Sequence, residues 1–123
     1  MPDRRRALGR LGEDLAAKHL QNLGYVLLER NYRCEYGEVD IVAQDRERLA
    51  FVEVRARRGN AFGTPEESVT PRKQQRLATV ARNYLEEKGL SDVAWGIDVV
   101  AVEFSPAGVL RRIDLIRDAV MEW

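Results

Sequence analysis

Two short apolar segments, each carrying acids, constrain this chain most: Gly37-Glu38-Val39-Asp40-Ile41-Val42-Ala43 and Leu49-Ala50-Phe51-Val52-Glu53-Val54-Arg55. The Asp45-Arg46-Glu47-Arg48 stretch between them is polar and short enough for a hairpin turn. If Gln44 and Leu49 close the ladder beside that turn, Asp40 falls directly opposite Glu53. Strand alternation then puts both carboxylates on one face. Opposed side chains start roughly 5 Å apart, and like charges at that spacing repel. A shared hard cation such as Mg²⁺ or Mn²⁺ resolves the conflict, since it takes oxygen ligands and keeps several waters. The competing account is a slipped register, or an acidic face that points outward and is simply solvated.

Few other residues are available for chemistry. Cys34 is the single cysteine and His19 the single histidine, so neither an internal disulfide nor a Cys/His zinc site can be built. His19 falls within an expected helix and has no nucleophile in a recognisable elbow to serve. No glycine-rich phosphate loop follows a strand. At 123 residues with no long apolar run, the chain reads as one soluble domain over 1–123, cytoplasmic and without membrane contact. Twenty basic and twenty acidic residues cancel, so any nucleic-acid affinity must come from their arrangement. Arg4, Arg5, Arg6 and Arg10 crowd the start, Arg55, Arg57 and Arg58 follow the second acidic segment, and Arg72, Lys73 and Arg76 open a later helix. Gathered around the acids they make a cationic rim for phosphates; dispersed, they are ordinary solvated charges.

The remaining pattern predicts a helix over 7–23, stopped by Gly24, with a leucine stripe of Leu8, Leu11, Leu15 and Leu23 and with Leu20 and the alanines broadening the apolar surface. Gly9, Gly12, Glu13, Ala16 and Ala17 form a small-residue side that would let this helix approach a sheet closely. Glu13 on that side reads either as a functional acid or as a first-turn carboxylate complementing the helix dipole. A strand is expected over 25–33. Thr64-Pro65-Glu66-Glu67 offers a capping box before a short helical turn, and Thr70-Pro71 opens a helix to Lys88. That second helix has a core stripe of Leu77, Val80, Ala81, Tyr84 and Leu85. Its first-turn cations oppose the helix dipole, which suggests an anion nearby. Strands follow over 95–104 and 109–117, the second an edge. Asp98, inside an apolar run, needs a cation, with Lys73 or Arg76 as candidates. Residues 118–123 read as a C-terminal tail exposing Val120, Met121 and Trp123.

The order helix, three strands, helix, two strands resembles the restriction-endonuclease-like core of nucleases. It has an acid on the first helix (Glu13), an Asp on the second strand (Asp40), and Glu53-Val54-Arg55 where that superfamily has Glu-x-Lys. More closely, almost the whole chain resembles the YraN-like bacterial family. The matching stretches are Gly12-Glu13 with Ala16, Gly24-Tyr25, Arg30-Asn31, Gly37-Glu38-Val39-Asp40, Phe51-Val52-Glu53-Val54, Phe62-Gly63, Lys73 and Asp98-Val99-Val100. That family's pattern has Lys where this chain has Arg55, and Arg where it has Gly96. The resemblance implies an α/β fold with a central mixed sheet of about five strands flanked by helices (αβββαββ). It also implies metal-dependent hydrolysis of DNA phosphodiesters, on branched or single-stranded substrates.

In that reading Asp40 and Glu53 bind Mg²⁺ or Mn²⁺, with the Val54 carbonyl as a further ligand, and Glu13 acts through water or at a second metal. Arg55 stabilises the transition state; being permanently protonated, it cannot act as a base. Lys73, Arg76, Arg57 and Arg72 hold the nucleic-acid backbone. In the proposed register Arg55 also faces Glu38, so a cross-strand ion pair would account for it structurally. The alternative is a non-catalytic nucleic-acid-binding module on a degenerate nuclease fold. A protein-interaction subunit using the Trp123 tail is a third class. Symmetric cutting of a junction would call for a homodimer.

Overall fold

The computed structural model describes residues 4–46, 48–59, 61 and 63–120. Helix α1 (Arg4–Asn22) leads into strands β1 (Val26–Cys34), β2 (Gly37–Asp45) and β3 (Arg48–Arg58). A short 3₁₀ turn (Glu66–Ser68), helix α2 (Pro71–Glu87) and strands β4 (Ala94–Phe104) and β5 (Leu110–Val120) complete it. This is the expected α/β arrangement. The five strands form one sheet in the order β1-β2-β3-β4-β5. The β3–β4 neighbours are parallel and every other pair is antiparallel. A parallel pair needs a long crossover, and the segment carrying α2 supplies it. Among the described residues no helix is long and apolar enough to cross a membrane.

Local chemistry sets the element ends. The Thr70 hydroxyl accepts from the Lys73 N–H at 3.3 Å, with Pro71 at the first helical position. Glu67 accepts from both the N–H and the hydroxyl of Thr64, at 3.0 and 2.8 Å, closing the capping box before the 3₁₀ turn.

Each face of the sheet buries one helix. On the α2 side, Val42, Leu49, Phe51, Ile97 and Val99 meet Leu77, Val80, Ala81 and Tyr84. Phe51 stacks edge-on against Tyr84 and Trp95. On the α1 side, Ile41, Ala43, Ala50, Val52, Val100 and Val102 meet Ala16, Ala17 and Leu20. The small-residue side of α1 is therefore its buried side: a Cβ on Gly12 would lie 2.8 Å from that of Ala56. The leucine stripe is split: Leu8 and Leu15 pack, partly buried, against the same core as the fully buried Leu20, while Leu11 and Leu23 are 46% and 52% exposed. The face that turns inward combines these leucines with the small residues that let the helix approach the sheet.

Two further expectations change. Strand β5 runs on through Val120, which is buried, so 118–120 belong to the sheet. Met121 and Trp123 lie outside the described residues, as do Glu47 and Phe62. Asp98 is paired neither with Lys73 nor with Arg76. Its carboxylate takes both terminal nitrogens of Arg48, at 2.6 and 3.0 Å, and the N–H of Asp118 at 2.9 Å. Arg48 starts the parallel neighbour β3, and its guanidinium fills the space over Gly96 where a Cβ would otherwise stand.

Candidate functional site

The β2–β3 hairpin adopts the expected register, pairing Ile41 with Val52 and Gln44 with Leu49, and extends one pair further to Asp45 and Arg48. Pairing stops at Ile41 and Val52, one residue short of Asp40 and Glu53. There the strands fork. β1 and β2 stay paired out to Gly37, while β3 continues beside β4 as far as Arg58. Asn31 takes part in this divergence with a left-handed backbone (φ 55°), which asparagine tolerates. Across it, Tyr32 and Val39 pack on the α2 side while Ile41 packs on the α1 side.

Asp40 and Glu53 meet at the fork. Asp40 Oδ2 accepts the Val54 N–H at 2.7 Å, taking a backbone donor released where the ladder ends. Burial, then the charge of Glu53 and a hydrogen bond to it, push the Asp40 carboxyl up to about 8. Near neutral pH, Asp40 therefore favours its protonated form. Glu53 is buried. Its Oε2 lies 2.8 Å from Lys73 Nζ and 3.7 Å from Arg55 Nη1. Lys73 reaches it from the first turn of α2, where a cation is otherwise disfavoured by the helix dipole; the anion that compensates is Glu53.

Arg55 does not pair with Glu38. Its Nε donates to Ser68 Oγ at 2.7 Å, so the 3₁₀ turn holds the guanidinium beside Glu53. Glu38 instead accepts from Arg33 at 3.0 Å. The expected Arg55–Glu38 pair needed the ladder to continue past the acids, and the fork removes it.

A cavity of about 660 Å³ opens at the fork, lined by Glu13, Asp40, Val54 and Arg55, with Arg57 and Arg58 further along β3. Burial raises the Glu13 carboxyl. The Asn31 amide lies 3.0 Å from both Glu13 and Glu38, oriented to donate to each. Among the described residues, no three acids or imidazoles converge closely enough to hold one ion. Glu13 thus shares the cavity of Asp40 without joining the tight pair. Arg72 and Arg76 are exposed and do not line the cavity, and the aliphatic part of Arg76 lies toward Gly37.

The roles of three residues in this neighbourhood escape sequence reasoning. Asn31 and Ser68 are ordinary polar residues until the fold sets them beside Glu13 and Arg55. Lys73, expected to hold the nucleic-acid backbone, pairs instead with a carboxylate twenty positions earlier across a crossover. Its one signal was a charge placed against the helix dipole.

The model of the uncharacterised protein family UPF0102 matches residues 12–117. A UPF0102 protein of Desulforamulus reducens is 46% identical over 122 residues, covering 98% of this chain and all of that one. One from Syntrophus aciditrophicus is 46% identical over 111 residues, covering 90% of this chain and 86% of its own. Another, from Acidothermus cellulolyticus, is 50% identical over 111 residues, covering 88% and 84%. The match extends from the first helix, through the forked hairpin with its acid pair, into the last strand; the chain belongs to the UPF0102 (YraN) family.

Proposed function

We propose that this protein is a metal-dependent nuclease that hydrolyses DNA phosphodiester bonds at the fork between β2 and β3. The observation that carries the reading is the meeting of Asp40 and Glu53 where the ladder opens, with Lys73 Nζ 2.8 Å from Glu53. The donor set suits a hard cation. It is all oxygen, and a divalent charge would offset both the burial and the neighbouring Glu53 charge that raise Asp40. Asp40, Glu53 and the Val54 carbonyl would hold Mg²⁺ or Mn²⁺, with water completing the shell. When bound, such a cation polarises the phosphate and acidifies a water.

The chain's own residues supply the rest. Arg55, fixed through Ser68, presents a permanent positive charge to the negative charge that develops on the phosphate. Arg55 holds the position of the family's strand lysine and Lys73 arrives from α2, so a lysine and an arginine flank Glu53 together. Glu13, with its raised carboxyl, can take or give a proton within the cavity.

The test is Mn²⁺-supported cleavage of labelled single-stranded, flap, junction and duplex DNA by wild type and by Asp40→Asn, Glu53→Gln and Lys73→Met. The expected result is cleavage by wild type, reduced at least 100-fold in each variant. Cleavage that survives in both carboxylate variants removes the reading.

One observation favours a non-catalytic binding module instead. Both acids already have partners within the chain, Asp40 with the Val54 N–H and Glu53 with Lys73. Binding of the same substrates without cleavage, unaltered by Glu53→Gln, would select that module.

A further inference from the structure

Beyond Val52, β3 has β4 on one side and no β2 partner on the other. The peptide groups of a strand alternate in direction. The Val54 N–H points to the open side, where it meets Asp40; those of Ala56 and Arg58 therefore point there too. This open edge runs along the 660 Å³ cavity, between Leu8, Gly9 and Glu13 of α1 and the turn at Gly59 and Gly63. From Glu53 to Arg58 it extends roughly 16 Å, at roughly 3.3 Å per residue. Arg57 lines it and makes no ion pair with any other described residue, while the Arg58 guanidinium lies away from it, beside Gly108 in the turn between β4 and β5. At its inner end Glu53 is only 3% exposed.

We infer that this cleft takes a single unpaired nucleic-acid strand, laid along the open edge of β3 with Arg57 on its phosphates. The inference rests on the nuclease reading of the same site and names its substrate class. An intact duplex carries its phosphates on a stiff cylinder and cannot bring one to the floor of a walled cleft. A single strand is flexible enough to enter, and backbone N–H groups and arginines are sequence-independent phosphate contacts. An extended peptide is the other chain that a bare strand edge accepts, but it offers no regular negative charge to Arg57.

The test is fluorescence anisotropy in Ca²⁺, which allows binding to be read apart from cleavage, with a labelled single-stranded DNA and a blunt duplex of equal length. The single strand is expected to bind at least tenfold more tightly. Arg57→Ala should weaken single-strand binding about fivefold and reduce the slope of log affinity against log salt by roughly 0.7. Arg111→Ala, exposed on β5 and outside the cleft, should stay within twofold of wild type, and unchanged melting temperatures would show that both variants fold. Duplex binding as tight as single-strand binding, or an unaltered salt slope in Arg57→Ala, overturns the inference. Single-strand preference without Mn²⁺ cleavage would sink the nuclease reading alone, and cleavage of intact duplex with no single-strand preference would sink this inference alone.

Discussion

Asp40 is the residue on which the chemistry turns, and its proton is measurable. Its folded carboxyl titrates at about 8, above the ordinary aspartate value of 3.8, because burial and Glu53 disfavour its charge. Between those two values the native state holds a proton that the unfolded chain has released, so stability falls as pH rises through that window. Urea melts of the metal-free protein from pH 4 to pH 8.5 should show that decline. Asp40→Asn should flatten it and be relatively more stable at the alkaline end. The same proton competes with a cation, so Mn²⁺ affinity should rise with pH up to about 8 and then level off, with proton uptake by the buffer detected calorimetrically. That Asp40 and Glu53 meet was legible from the strand period and the turn length alone. The proton was not, because it comes from burial and from the end of the ladder.

At the scale of elements, the approach of α1 to β3 positions one wall of the cleft. Gly12 sits against Ala56 while a Cβ on Gly9 would meet nothing within 4 Å, so one substitution distinguishes them. Gly9→Ala should stabilise by up to about 1 kcal/mol through helix propensity. Gly12→Ala gains the same propensity but forces a 2.8 Å contact with a short, inflexible side chain. Overpacking of this kind costs about 1–3 kcal/mol, and the expected net effect is a loss of about 1 kcal/mol, read as a lower urea midpoint at unchanged slope. The sequence showed the small-residue side of this helix and a leucine stripe, of which Leu8 and Leu15 join the buried side while Leu11 and Leu23 stay exposed. Periodicity cannot rank the leucines; the line along which the helix meets the sheet does. Helix α2 was easier, because its cap, proline and apolar stripe agree with one another.

Across the whole molecule, the end of the sheet away from the fork is tied by a buried ion pair that joins β3, β4 and β5. Asp98 has no exposed surface and Arg48 very little, so removing the arginine strands a buried charge. Losses of about 3–5 kcal/mol follow such cuts, and Arg48→Ala should fall in that range by chemical denaturation. The family pattern carries arginine where this chain has Gly96, and the guanidinium of Arg48 occupies the space above that glycine. The double variant Arg48→Ala/Gly96→Arg should therefore recover at least half of the lost stability. That Asp98 needed a cation could be read from its apolar neighbours. Which cation supplied it depended on a parallel pairing between segments nearly fifty residues apart.

What the chain determined by itself is whatever depends on near neighbours: the hairpin and its register, the helix caps, the order of elements, and the acids set in opposition. These follow from repulsion, alternation and capping over a few residues, where local geometry leaves little choice. Tertiary structure decided where β2 leaves β3, that Lys73 rather than Arg76 reaches Glu53, and that Arg48 serves Asp98. Those outcomes depend on the crossover through α2, which brings distant side chains within 3 Å of one another. A local pattern reports the need for a partner, and only the packed sheet chooses it.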